Sequence, residues 1–190
     1  ALESFVSNPS SELPDAMALR AMKTIHRWLP RAVHDGDNRE ARERLHIAAT
    51  MAGVAMANSG TGLVHDTSHQ LGGAFAIAHG RSNALMLNSV LGFMLPGSGE
   101  RIVEAAQALG ISTDDNKKAL TGLIAALDGL KREIDMPLTL QAAGIDKDRF
   151  MALLDQFAAN AISTAFRPGR ASPEEIKGIY LKAWEGGSPV

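Results

Sequence analysis

Three of the six histidines, His65, His69 and His79, fall within fifteen residues of one another. His65 and His69 are four apart, so a helix through them carries both on one face, one turn apart. His79 follows the glycine pair Gly72-Gly73, a break that lets the chain turn back and bring a third imidazole toward the first two. Neutral imidazole is a good ligand for Zn²⁺ or Fe²⁺, and helical domains build metal sites by converging such side chains. The chain has no cysteine, so any metal must be held by imidazole nitrogen or carboxylate oxygen. The neighbours Leu63, Val64, Leu71, Phe75 and Ile77 are apolar, a dry setting that suits hydride chemistry.

Two other readings compete. A histidine on an apolar helix is more often a hydrogen-bonded core residue than a ligand, which would leave a non-enzymatic helical interaction module. His65-x-x-x-His69 also has the spacing of a zinc-hydrolase helix. That helix needs a glutamate directly after the first histidine as general base, and here the residue is Asp66, one methylene shorter. His26, His34 and His46 lie isolated among charged residues and read as structural.

The elements that must position these side chains are helices. Pro14 sits where a helix takes its first residue, with Ser10 and Ser11 before it as caps. Apolar residues follow at three- and four-residue spacings to Leu29, and Pro30 is expected to close that helix. After the turn cluster His34-Asp35-Gly36-Asp37-Asn38, Arg39 opens a long alanine-rich helix of the kind that packs closely against a neighbour. Asn58-Ser59-Gly60-Thr61-Gly62 breaks it. A short helix is predicted from Leu63 to Leu71, ended by Gly72-Gly73, and Ser82 is expected to cap the next, stopped by Pro96-Gly97. Further amphipathic segments lie near 100–109, 115–134, 147–161 and 173–185, the last opened by a cap, a proline and acids in Ser172-Pro173-Glu174-Glu175. Strand patterns are essentially absent. The expected fold class is all-α and bundle-like.

Composition agrees with a globular chain. Hydrophobic residues make up 45% and charged residues 21% of the 190 residues. A net charge of −2 gives no reason to expect nucleic acid or an anionic membrane as partner. No apolar run approaches a membrane span, so the default compartment is cytoplasmic.

Taken together, Gly62-Leu63-Val64-His65, His69-Gln70-Leu71-Gly72-Gly73, His79-Gly80 and Asn83-Ala84 closely resemble the signature of the iron-containing (group III) alcohol dehydrogenases. Leu2-Glu3-Ser4-Phe5-Val6-Ser7 with Asn8-Pro9, Leu29-Pro30-Arg31-Ala32-Val33 with Gly36-Asp37, and Pro173-Glu174-Glu175-Ile176 are similar to further blocks of that family. The resemblance covers nearly all of the chain. It implies the all-helical C-terminal domain of the iron-containing alcohol dehydrogenase/dehydroquinate synthase-like fold, which holds a divalent metal, Fe²⁺ or Zn²⁺, beside an N-terminal α/β domain that binds NAD or NADP. By the same resemblance His65 and His79 are metal ligands. His69 is the histidine beside the nicotinamide, a catalytic and cofactor-contacting residue that relays a proton or orients the reacting groups. The implied substrate is a small alcohol or aldehyde, and the implied assembly a homo-oligomer.

The family's remaining ligands, an Asp-x-x-x-His pair, are expected immediately before the stretch that begins at Leu2, and nothing in the sequence resembles the family's glycine-rich phosphate loop. Residues 1–190 are therefore expected to be the helical metal-binding domain of a longer protein, with little turnover by themselves. Loss of an initiator methionine alone is the other account of the start at Ala1. Without the nucleotide domain, Leu71, Phe75 and Ile77 are expected to form an exposed apolar patch. Departures from the family pattern are Asp66 and Ser68 in place of small apolar residues, Ala78 in place of proline, and Asn88-Ser89 in place of a Pro-His pair.

Overall fold

A computed structural model describes residues 1–6, 11–161 and 171–186, and every regular element among them is a helix. The helices are α1 (Leu2–Val6), α2 (Glu12–His34), α3 (Arg39–Ser59), α4 (Leu63–Phe75), α5 (His79–Ser98), α6 (Glu100–Ala108), α7 (Asn116–Glu133), α8 (Lys147–Asn160) and α9 (Pro173–Glu185). They form two compact units. The first comprises Ala1–Thr61 with Ser98–Met136, the second Gly62–Gly97 with Pro137–Val190.

Side chains supply the missing partners of the helix starts. Asn38, Asp115 and Asp146 each accept a bond from the backbone N–H three residues on, opening α3, α7 and α8. Ser172 and Glu175 form a reciprocal capping box at α9, with Pro173 next to the cap. Such a cap contributes about 1 kcal/mol, enough to fix where each of these helices begins. Ser11 stands at the N-cap of α2 without a side-chain bond, and Ser10 lies outside the described residues.

In the first unit α2 and α3 make the most extensive helix–helix contact. The reason is the alanine stripe. Ala41, Ala48 and Ala55 recur every seven residues of α3 and are fully buried, as are Ala18 and Ala21 of α2. Side chains this small let two helix backbones approach. Helix α1 is buried along its whole length, tied by a Ser4 hydroxyl bond to the Gly60 carbonyl. Arg101 of α6 donates to the Phe5 carbonyl, pairs with Asp15 at 2.8 Å and lies over the Phe5 ring.

The second unit carries the aromatic core. Phe150 stacks on Trp184 with centroids 4.9 Å apart, and Phe157 and Tyr180 complete the cluster. Tyr180 is fully buried, and its hydroxyl donates to the Thr67 carbonyl at 2.8 Å, joining α9 to α4. No single described helix is long and apolar enough to cross a membrane.

Four expectations about breaks are corrected. Helix α2 runs through Pro30 to His34. A proline this near a helix end removes one backbone bond while the last turn still closes, here through Asp35 N–H to the Arg31 carbonyl at 2.9 Å. Helix α4 passes through Gly72-Gly73 to Phe75. A Cβ on Gly72 would make only ordinary contacts, 3.4 Å from the Ile77 carbonyl oxygen and 3.7 Å from the Ser82 hydroxyl; the glycines are carried inside the helix at about 1 kcal/mol each relative to alanine. Ser82 is no cap: it lies fully buried inside α5 and donates to the His79 carbonyl. Pro96-Gly97 does not stop α5, which reaches Ser98.

Candidate functional site

The turn that brings the histidines together is made by Ala76, which takes the left-handed conformation at φ 53°, ψ 37° and ends α4. For a residue with a Cβ this costs about 1–2 kcal/mol. The chain then reverses through Ile77 and Ala78, and His79 is the first residue of α5. His65 and His69, one turn apart on α4, thus come to face the start of α5. Ring centroids are 6.1 Å apart for His65–His69, 5.3 Å for His65–His79 and 5.1 Å for His69–His79.

The three rings are not equivalent. His69 stacks nearly parallel on His79, at 25°, which sends their in-plane lone pairs along separate, roughly parallel planes. His65 and His79 instead direct Nε2 toward the same atom. That atom is Nδ2 of Asn83, 3.4 Å from Nε2 of His65 and 3.1 Å from Nε2 of His79. Asn83 follows His79 by four residues on α5, so it stands one turn above it. Its other amide atom, Oδ1, accepts from the Ser68 hydroxyl. Ser68 Oγ also lies 3.1 Å from the His65 carbonyl.

His69 and His79 are exposed, His65 and Asn83 half-buried and Ser68 fully buried. Partial desolvation, with His65 and then His69 as cationic neighbours, holds the His79 imidazole below its ordinary pKa. That favours the neutral ring, the form able to bind a metal. Among the described residues no three His, Asp or Glu side chains are arranged to hold a metal ion. The donor set that converges is the two imidazole nitrogens, and the atom they meet is an electropositive N–H₂ group.

The sequence singled out the three imidazoles and missed two of the groups that organise them. Asn83 carried no role, although its i, i+4 relation to His79 repeats that of His65 and His69. Ser68 was read only as a departure, yet it is the hydroxyl that orients Asn83. The expected apolar patch is also corrected in part. Leu71 is fully buried in the core, while Phe75 and Ile77 are half-buried. They line, with Arg81, Gly144 and Asp146, an open cavity of about 460 Å³.

Comparison with known proteins places the chain in a family. The model of the Fe-containing alcohol dehydrogenase family, C-terminal, matches residues 1–184. The NAD-dependent methanol dehydrogenase of Bacillus methanolicus is 35% identical over 185 residues, covering 96% of this chain and 48% of the relative. The bifunctional aldehyde-alcohol dehydrogenase of Escherichia coli is 34% identical over 207 residues, covering 98% of this chain and 23% of the relative. The structure of an iron-containing alcohol dehydrogenase from Thermococcus thioreducens superposes with a TM-score of 0.85 at 34% identity, covering 98% of this chain and 48% of that one. The chain thus spans about half the length, or less, of these relatives. A family match over residues 1–184, with relatives more than 30% identical along almost the full length, makes this chain a member of the iron-containing alcohol dehydrogenase family, corresponding to that family's C-terminal domain.

Proposed function

We propose that these residues form the metal-holding helical part of an alcohol dehydrogenase that interconverts small alcohols and aldehydes or ketones with NAD or NADP. The observation that carries the reading is the convergence of the His65 and His79 Nε2 atoms on one electropositive group, in a chain of this family. Methanol, propanol and propanediol dehydrogenases among the relatives favour a short alcohol as substrate. The same family membership favours the dehydrogenase over the zinc-hydrolase reading, whose general base would have to be Asp66.

His65 and His79 would hold Fe²⁺ or Zn²⁺, each as the neutral ring with its proton on Nδ1. Bound metal supplies Lewis-acid polarisation of the alcohol or carbonyl oxygen, and the nicotinamide supplies or takes the hydride. His69 is exposed on the same face and outside the converging pair. That position suits it to accept a proton from the reacting hydroxyl or pass it to solvent. Leu63, Val64 and Leu71 of the same helix are buried, an apolar setting that suits hydride chemistry. The nucleotide would be bound by residues outside this helical domain.

The test uses the whole dehydrogenase. His65→Ala and His79→Ala should lose bound metal and alcohol-dependent reduction of the nicotinamide together. His69→Ala should retain metal while kcat drops. Wild-type metal content and rate in His65→Ala and His79→Ala would refute the assignment.

A further inference from the structure

We infer that the open cavity beside the α4–α5 turn is a binding site for a small apolar α-amino acid. Its carboxylate would go to Arg81, its ammonium to Asp146 and its side chain to the apolar floor. The site is separate from the histidine cluster, since none of the three imidazoles lines the cavity.

The first support is size and lining. The cavity holds about 460 Å³, within the roughly 300–1,000 Å³ of small-molecule sites. Phe75, Ile77 and Ile145 line it half-buried, while Arg81 and Asp146 line it exposed to water. An apolar floor under a charged rim binds a molecule that is itself apolar at one end and charged at the other. An inorganic ion would gain nothing from the floor, and a hydrocarbon nothing from the rim.

The second support is charge, which decides the class of ligand. Arg81 and Asp146 face one cavity, yet no ion pair joins them, and no carboxylate among the described residues pairs with Arg81. An anion entering here would meet Arg81 favourably and Asp146 unfavourably, and a cation the reverse. A zwitterion satisfies both. The Arg81 guanidinium offers the planar fork that matches a carboxylate. Asp146 is set for the ammonium. Its Oδ1 accepts from the Arg149 N–H at 2.7 Å to open α8, and Oδ2 has no donor among the described residues. The cap holds the carboxylate in place, so little side-chain freedom is lost on binding. Phe75 is held as well, by the Arg149 guanidinium 5.3 Å above its ring.

The test is titration of L-leucine into the full chain, followed by calorimetry and by the methyl resonances of Ile77 and Ile145. Leucine should bind and shift both resonances. Isocaproate lacks the ammonium and isopentylamine lacks the carboxylate. Each should bind at least about tenfold more weakly, the loss expected for one charge-assisted hydrogen bond. Arg81→Met and Asp146→Asn should each weaken leucine binding by a similar factor. Asparagine caps a helix as well as aspartate does, so Asp146→Asn keeps the start of α8 and removes only the charge. No binding of leucine overturns the site. Isocaproate bound as tightly as leucine makes it an anion site and overturns the amino-acid assignment, and isopentylamine bound as tightly overturns it from the cation side. Unmoved Ile77 and Ile145 resonances, or unchanged affinity in either variant, put leucine elsewhere and overturn it too. Should one variant lose helicity, the other decides.

Discussion

Lys131 should be a source of instability that a single substitution removes. It lies in the last turn of α7, 5% exposed, and no hydrogen-bond acceptor among the described residues reaches its Nζ. Burial lowers its pKa from 10.5 to about 8, with Asp128 offsetting part of the effect. At 1.36 kcal/mol per pKa unit, that difference means charged Lys131 costs the folded chain about 3 kcal/mol. Below pH 8 the lysine is charged in both states and the cost is fully present. Between pH 8 and 10.5 the folded chain has released the proton while the unfolded chain keeps it. Unfolding then takes up a proton, and stability rises with pH across that window. Lys131→Met keeps the length of the side chain and removes the charge. It should stabilise the first unit by about 3 kcal/mol at pH 7, a gain shrinking toward zero above pH 10.5. Urea unfolding followed by Trp28 fluorescence in a Trp184→Phe background reads this unit, since Trp28 belongs to α2. The difference between the two proteins, measured at each pH, isolates the lysine from other titrating groups. A Lys131→Met chain no more stable at pH 7, or a gain unchanged between pH 7 and 10.5, would refute the reasoning.

Tyr180→Phe removes the hydroxyl that joins α9 to α4 beneath the histidines and should cost the second unit about 1 kcal/mol at pH 7, read from Trp184 fluorescence during urea unfolding. Burial raises the Tyr180 pKa above its ordinary 10, so the unfolded chain ionises first and wild-type stability should fall as pH rises past 10; the phenylalanine variant should lose that part of the slope. Arg101→Ala breaks a part-buried carbonyl bond, the Asp15 pair and the Phe5 stacking at once. A loss of about 2–3 kcal/mol in the first unit is expected, and an unchanged urea midpoint would contradict it. Gly186→Ala forces a Cβ into φ +73° and to within 2.6 Å of the Thr139 methyl. Its expected cost is at least about 1 kcal/mol, visible as a lower thermal midpoint.

Helix starts are more legible in this sequence than helix breaks. Where a residue acts through its own backbone neighbours, the sequence carries the information: the caps at Asn38, Asp115, Asp146 and Ser172 act within three residues, and the helices they open start where expected. Gly72, Pro30 and Ser82 were misread because the same residue types serve two purposes. Glycine ends helices, and it is also carried inside them at a modest cost, as Gly72 and Gly73 are in α4. Proline inside a helix loses one bond to the turn before it, and the helix continues where the turns around it still close, as at Pro30. Serine caps a helix or folds its hydroxyl back inside one, as Ser82 does.

The site divides along the same line. Three imidazoles in fifteen residues are a local signal, and so is the i, i+4 relation of His65 to His69. The convergence of His65 and His79 is not, because it depends on Ala76 accepting a left-handed backbone that sequence preference would assign to glycine or asparagine. A local cost of about 1–2 kcal/mol is sustained there, and what it secures is the approach of two ring nitrogens to one amide. Strain placed at the turn between two candidate ligands, with a buried serine spent on orienting that amide, is better explained by a site than by a core. A core histidine needs one hydrogen-bond partner, and neither a strained turn nor a shared one.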